Sequence, residues 1–184
     1  MKEVVPPKPN ILIVRYKKPQ KFCFFDKYYV APHGYSLVTM AQGQDIKSLP
    51  RIGGKVSGSN AIYLLKMNFD ISWGVINLTC MMENNVLSHE FGFSGIVSLE
   101  VDSPEEFYSK INVANTTKVL VEDFKKHWMR HWGDLLKRTF SNRTIGYREV
   151  PQVVESLKSS INAEMIDTYR VAVAQISIGN MSKV

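Results

Sequence analysis

Short runs of β-branched and aromatic residues set the pattern of the first third of the chain. Ile11-Leu-Ile-Val-Arg-Tyr, Lys21-Phe-Cys-Phe-Phe, Tyr28-Tyr-Val and Tyr35-Ser-Leu-Val-Thr-Met read as strands, with turns at Pro19-Gln20, Asp26-Lys27 and Pro32-His33-Gly34. This is the text of a small antiparallel β unit. From Ala41 to Asn60 the glycines Gly43, Gly53, Gly54 and Gly58, with Pro50, leave no regular element and mark a boundary between residues 1–60 and 61–184. Strand patterns resume over Ala61–Asp70, Val75–Met82 and Phe91–Val101, and Gly92 and Gly95 place a bulge or bend inside the last of these.

The period then changes to that of a helix. In Asp102-Ser-Pro-Glu-Glu, Asp or Ser can cap, Pro104 suits the first turn, and two carboxylates meet the positive end of the dipole, which predicts a short helix to about Ile111. Thr116 or Thr117 is expected to cap a longer helix to about Phe140. Its apolar residues Leu120, Val121, Phe124, Trp128, Trp132, Leu135 and Leu136 share one arc, and Glu122, Asp123, Lys126, Arg130 and Lys137 fill the other. A third helix follows from about Val150 to Asp167 on the stripe Val150, Val153, Val154, Leu157, Ile161 and Met165, and Arg170-Val-Ala-Val-Ala-Gln-Ile-Ser-Ile-Gly179 closes the chain as a strand. The predicted class is α+β: an N-terminal antiparallel unit, then a β-β-β-α-α-α-β lobe.

With 184 residues, 45% of them hydrophobic, such a chain buries roughly two thirds of its unfolded surface and needs no staples. The polar, proline-rich start from Met1 to Asn10 carries no export signal, and no window approaches the roughly 20 apolar residues of a membrane span. Cys23 and Cys80 form neither a disulfide framework nor a zinc motif, so two reduced thiols in a cytoplasmic protein are expected.

The formal charge of +6 is unevenly spread. Residues 1–60 hold ten basic and three acidic side chains, 61–116 two and seven, 117–146 seven and three, and 147–184 four of each. Blocks of opposite sign suit docking between copies of the chain, and the basic first block, with Arg15, Lys17, Lys18, Lys21 and Lys27, suits an anionic surface.

Catalytic chemistry is not indicated. His127 and His131 lie four apart on the long helix, but no Glu intervenes and Lys126 and Arg130 oppose a cation. His33 and His89 fall in expected loops with no ligand at metal-binding spacing. Neither Gly-x-Ser-x-Gly nor a Cys-His pairing is present, and Gly53-Gly54-Lys55-Val56-Ser57-Gly58 lacks the order of a phosphate loop. Basic residues interleaved with aromatics can contact nucleic acid, yet no RNP or helix-turn-helix signature accompanies them. No cofactor, metal or small-molecule substrate is expected.

A set of anchors in this order resembles the SPFH or Band 7 domain of stomatins, prohibitins and flotillins, most of all its soluble bacterial virion-core-like branch. The anchors are Ile11-Leu-Ile-Val-Arg-Tyr, the Gly/Pro link, Trp73-Gly74, the spacing Asp102-x-Pro104-x-x-Phe107, Thr116-Thr117, two helices, and a last strand opened by Tyr169 and ending Ile176-Ser-Ile. The chain departs from the family at Arg170, where glycine is usual, and at Gly74-Val75-Ile76, where Gly-Thr-Pro is usual. It also stops at Val184, where members continue into a coiled coil and, in this branch, often a zinc ribbon. The resemblance implies a non-enzymatic scaffold of two subdomains that self-associates laterally, as a homo-oligomer, at a membrane surface. The residue-level alternative is a nucleic-acid or anionic-lipid binding module using the basic N-terminal third.

Overall fold

The computed structural model describes residues 2–17, 25–41, 46–81, 88–111, 116–141 and 144–183. The chain is α+β. Its strands are β1 (Lys2–Glu3), β2 (Ile11–Lys17), β3 (Lys27–Val30), β4 (Tyr35–Met40), β5 (Ile46–Ser48), β6 (Gly54–Val56), β7 (Ala61–Lys66), β8 (Asn68–Met81), β9 (Ser88–Val101), β10 (Lys118–Leu120) and β11 (Val171–Lys183). Its helices are α1 (Pro104–Ile111), α2 (Val121–Ser141), α3 (Val150–Ser156) and α4 (Lys158–Tyr169), with a 3-10 turn at Tyr147–Glu149.

Two compact units divide the chain, and neither is continuous. The first takes residues Met1–Phe69, Glu100–Phe124 and Thr168–Val171; the second takes Asp70–Leu99, Lys125–Asp167 and Ala172–Val184. A cut at residue 60 therefore differs from the structural division, because sequence distance does not record which late segments pack with early ones.

The first unit holds a five-stranded sheet in the order β10-β2-β7-β4-β5 and a three-stranded sheet in the order β1-β3-β6. Val4, Tyr29 and Val56 from the small sheet pack with Leu37, Ile62 and Leu64 from the large one. The opposite face of the large sheet meets α1, where the rings of Tyr63 and Tyr108 lie 4.7 Å apart. Covered on both faces, β7 is an unbroken apolar run in which Ala61 to Leu65 are all buried. Phe69, Phe107, Phe124 and Tyr169 form an aromatic cluster in this unit, with Phe69–Phe124, Phe107–Phe124 and Phe124–Tyr169 centroids 5.5–5.6 Å apart. Arg170 has φ 57, a left-handed conformation, at the position where the family resemblance expects glycine. Its carbonyl accepts from Asp102 N–H at 2.9 Å and its Nε lies 2.6 Å from Glu106 Oε2.

The second unit holds one sheet, ordered β11-β9-β8. Its buried residues alternate, and Trp73 meets Trp132 of α2 edge to face at 5.4 Å while Trp128 stacks on Trp132 at 5.6 Å. In β8 the alternation Ile71, Trp73 resumes one position out of step at Leu78 and Cys80, and Asn77 absorbs the extra residue with φ 62. In β9, Gly95 passes so close to β11 that a Cβ there would overlap the Ser177 carbonyl oxygen.

Four expectations are corrected. The glycine-rich stretch contains β5 and β6, short strands fixed by pairing with β4 and β3 rather than by local preference. Thr117 does not cap the long helix: its carbonyl accepts from Arg15 N–H at 2.8 Å, and Lys118–Leu120 pairs with β2 before the helix begins at Val121. Leu120 thus lies in a strand. The third helix is two, broken at Leu157, whose N–H is shared between the Val153 and Val154 carbonyls at 3.2 Å. Finally, the N-terminal unit is not wholly antiparallel, since β1 runs parallel to β3. The expected strand at Lys21–Phe25 lies outside the described residues but for Phe25.

Candidate anionic-surface interface

Two short strands and a turn build an amphiphilic surface on the first unit. In the β3–β6 ladder Lys27 stands opposite Val56, Tyr28 opposite Lys55, and Tyr29 opposite Gly54. Opposite residues share a face, so Tyr28 and Lys55 project away from the core that holds Tyr29 and Val56. The turn leading into β6 is closed by Gly53 N–H donating to Pro50 O at 2.8 Å, with Gly53 at φ 95 and no room for a Cβ, which would lie 2.6 Å from Tyr29 O. This turn holds Ile52 at 82% exposure, and Tyr28 Oη donates to the Ile52 carbonyl at 3.0 Å. Phe25 is 78% exposed just before β3, and Lys27, Arg51 and Lys55 are exposed.

The described members of the expected anion contacts fall on two sheets. Arg15 and Lys17 belong to β2 in the other sheet; Arg15 is half-buried opposite Tyr63, and Lys17 Nζ donates to Gly58 O at 3.0 Å. Lys27, though exposed, stands opposite Val56 at the end of β3, on the face away from Tyr28 and Lys55. The cations nearest Tyr28 are Lys55 and, on the turn, Arg51, which sequence reading missed because both fall in the glycine-rich stretch. Lys18 and Lys21 lie outside the described residues. The family anchors are placed as follows: Phe107 and Tyr169 in the first unit's aromatic cluster, Trp73 in the second unit's indole cluster with exposed Gly74 after it, Pro104 at the first position of α1, and Asp102 and Thr117 exposed. Of the expected helix face, Phe124, Trp128 and Trp132 are buried and Leu120 and Leu135 half-buried.

Part of the acidic block is neutralised within its own unit. Ser48 N–H and Oγ–H donate to Glu105 Oε1 at 2.9 and 2.5 Å, and Glu106 pairs with Arg170. Burial pushes the Glu105 carboxyl up, but the Ser48 hydrogen bonds outweigh it and hold the group below its ordinary value of 4.5. The same contact occupies an outward N–H of edge strand β5. Asp123 does likewise for Leu120 N–H on β10 at 3.0 Å, and Asn162 for Val173 N–H on β11 at 2.6 Å.

Other titratable groups do not converge. His131 Nδ1 lies 2.5 Å from Glu164 Oε1, joining α2 to α4. Cys80 is a buried free thiol whose burial pushes its pKa up to about 11. Among the described residues no three His, Cys, Asp or Glu side chains gather as a metal site, and no helix is long and apolar enough to cross a membrane. No protein-family model and no curated protein matches the chain.

Proposed function

We propose that the chain is a non-enzymatic scaffold domain of SPFH or Band 7 type that rests on an anionic membrane surface and associates there with copies of itself. The observation that carries this reading is the pair Tyr28 and Ile52, joined by a hydrogen bond, beside Arg51 on the same turn and Lys55 opposite Tyr28. Aromatic and aliphatic tips enter the acyl boundary while cations stay among the headgroups, each cation worth about 1 kcal/mol near an anionic leaflet. The contact is peripheral, and the free Cys80 thiol supports a reducing, cytoplasmic setting. Self-association is favoured by β11, the end strand of its sheet among the described residues, which carries no charged residue before Lys183 and so meets another copy without charge repulsion.

Co-sedimentation with vesicles tests the surface. The protein is expected to pellet with phosphatidylserine-containing vesicles, to be released by salt, and to lose affinity in Ile52→Ser; no binding to these vesicles at low salt would remove the reading. Sedimentation velocity tests assembly, and a monomer at every protein concentration and salt would remove the self-association half. Salt-sensitive binding to single-stranded RNA, but not to vesicles, would favour a nucleic-acid module instead.

A further inference from the structure

A pocket beside this surface has a chemistry of its own. It is a cavity of about 310 Å³ between the turn at residues 31–35 and Arg51, completed by Met67 and Asn68. Among the described residues its lining contains an arginine, a histidine, a tyrosine and an asparagine, and no carboxylate. Tyr35 N–H donates to Pro32 O at 3.1 Å and Met67 N–H to Gly34 O at 2.9 Å, so the wall holding His33 is fixed at both ends by backbone hydrogen bonds. Gly34 takes φ 77, and the space where its Cβ would stand is open. Arg51 comes from the turn closed by Gly53 and Pro50 and lines the pocket, while Ile52 beside it faces solvent. A larger groove of about 520 Å³ in the second unit, between α3 and β11, offers an anion nothing comparable: its lining includes Glu155 and no Arg, Lys or His.

We infer that the Arg51–His33 pocket binds a phosphate monoester group. The guanidinium fork matches two phosphate oxygens, and the imidazole and the Asn68 amide supply further donors. The volume suits a headgroup-sized ligand at the small end of binding cavities. The group reaches the pocket either as a lipid headgroup or as a free phosphate. The inference deepens the surface reading, because Arg51 belongs to both, but it claims more: recognition of a chemical group rather than of surface charge.

The test uses the whole chain and two kinds of probe. Inorganic phosphate, titrated against chloride at matched ionic strength, is expected to give saturable NMR shifts at Gly34, Tyr35 and Arg51. Arg51→Gln is expected to weaken this binding roughly tenfold or more, and Ile52→Ser to leave it unchanged. In the second arm, vesicles containing phosphatidic acid are compared with phosphatidylserine vesicles of equal surface charge. A preference for phosphatidic acid that Arg51→Gln abolishes assigns the phosphate to a lipid; saturable phosphate binding without that preference assigns it to a free ligand. Shifts that do not saturate, or that persist in a folded Arg51→Gln variant, overturn the pocket even if vesicles bind. Phosphate binding without vesicle binding keeps the pocket and removes the membrane reading.

Discussion

In the first unit β7 buries five residues in succession, whereas in the second β8 and β9 bury alternate ones except at Phe91–Phe93, where Gly92 is buried as well. The cause is how many faces are covered. The five-stranded sheet lies between another sheet and α1, while the three-stranded sheet of the second unit turns alternate side chains to its helices and leaves Ile96 and Gly74 on the exposed side. A strand covered on both faces tolerates little change at any position; a strand covered on one is sensitive at every second. The two units also differ in what fills the core: buried tyrosines and phenylalanines pack with aliphatics in the first, and all three indoles lie in the second.

The largest expected effect is in the second unit. Trp132→Ala removes a fully buried indole that touches both Trp73 and Trp128 and should cost about 3–5 kcal/mol in urea denaturation. If the units unfold separately, one of two transitions moves; a single transition that moves as a whole would show that they unfold as one. Gly95→Ala should come next, at about 2–4 kcal/mol, because its Cβ meets backbone rather than a mobile side chain. Gly53→Ala in the first unit is expected to match it, through positive φ and the Tyr29 carbonyl. A much milder Gly53→Ala would mean that the small sheet yields where the second unit does not.

Smaller, and confined to the first unit, is the Glu105–Ser48 contact. A carboxyl held below its ordinary value contributes stability that is present above pH 4.5 and is lost as pH falls through the lowered value. Glu105→Gln should cost about 1 kcal/mol or less at neutral pH, and the gap to the parent protein should close on acidification. A gap independent of pH would assign the loss to shape rather than charge. The smallest effect is kinetic: with its pKa near 11, the Cys80 thiol should alkylate slowly at pH 8 in a Cys23→Ser background until the second unit opens. Rapid alkylation of the folded protein would show that β8 is less well covered than its burial indicates.

What the sequence disclosed depended on whether a signal was local. The start of α1 was legible because Ser103, Pro104 and the paired glutamates act within one turn, and Ser103 Oγ does accept from Glu106 N–H at 3.4 Å. Gly95 was visible as a glycine inside a strand and read as a bulge or bend, but the close approach of β11 at Ser177 was not. Strand β10 was not, because Leu120 and Val121 continue the apolar arc of α2 and only pairing with Ile11, Ile13 and Val14 makes Lys118–Leu120 extended. Strands β5 and β6 were hidden for the same reason. Of the surface patch, nothing in the text sets Tyr28 opposite Lys55, which reaches the same ladder through a turn.

The discontinuity of the units bears on the order of events during synthesis. Phe107, Phe124 and Tyr169 all belong to the unit that begins at Met1, so that unit is not complete until Val171 has left the ribosome. Its sheets must wait, part-built, while the whole β8–β9 hairpin and three helices are made. The portion of the molecule translated first closes only when all but the last segment of the second unit, Ala172–Val184, has been made.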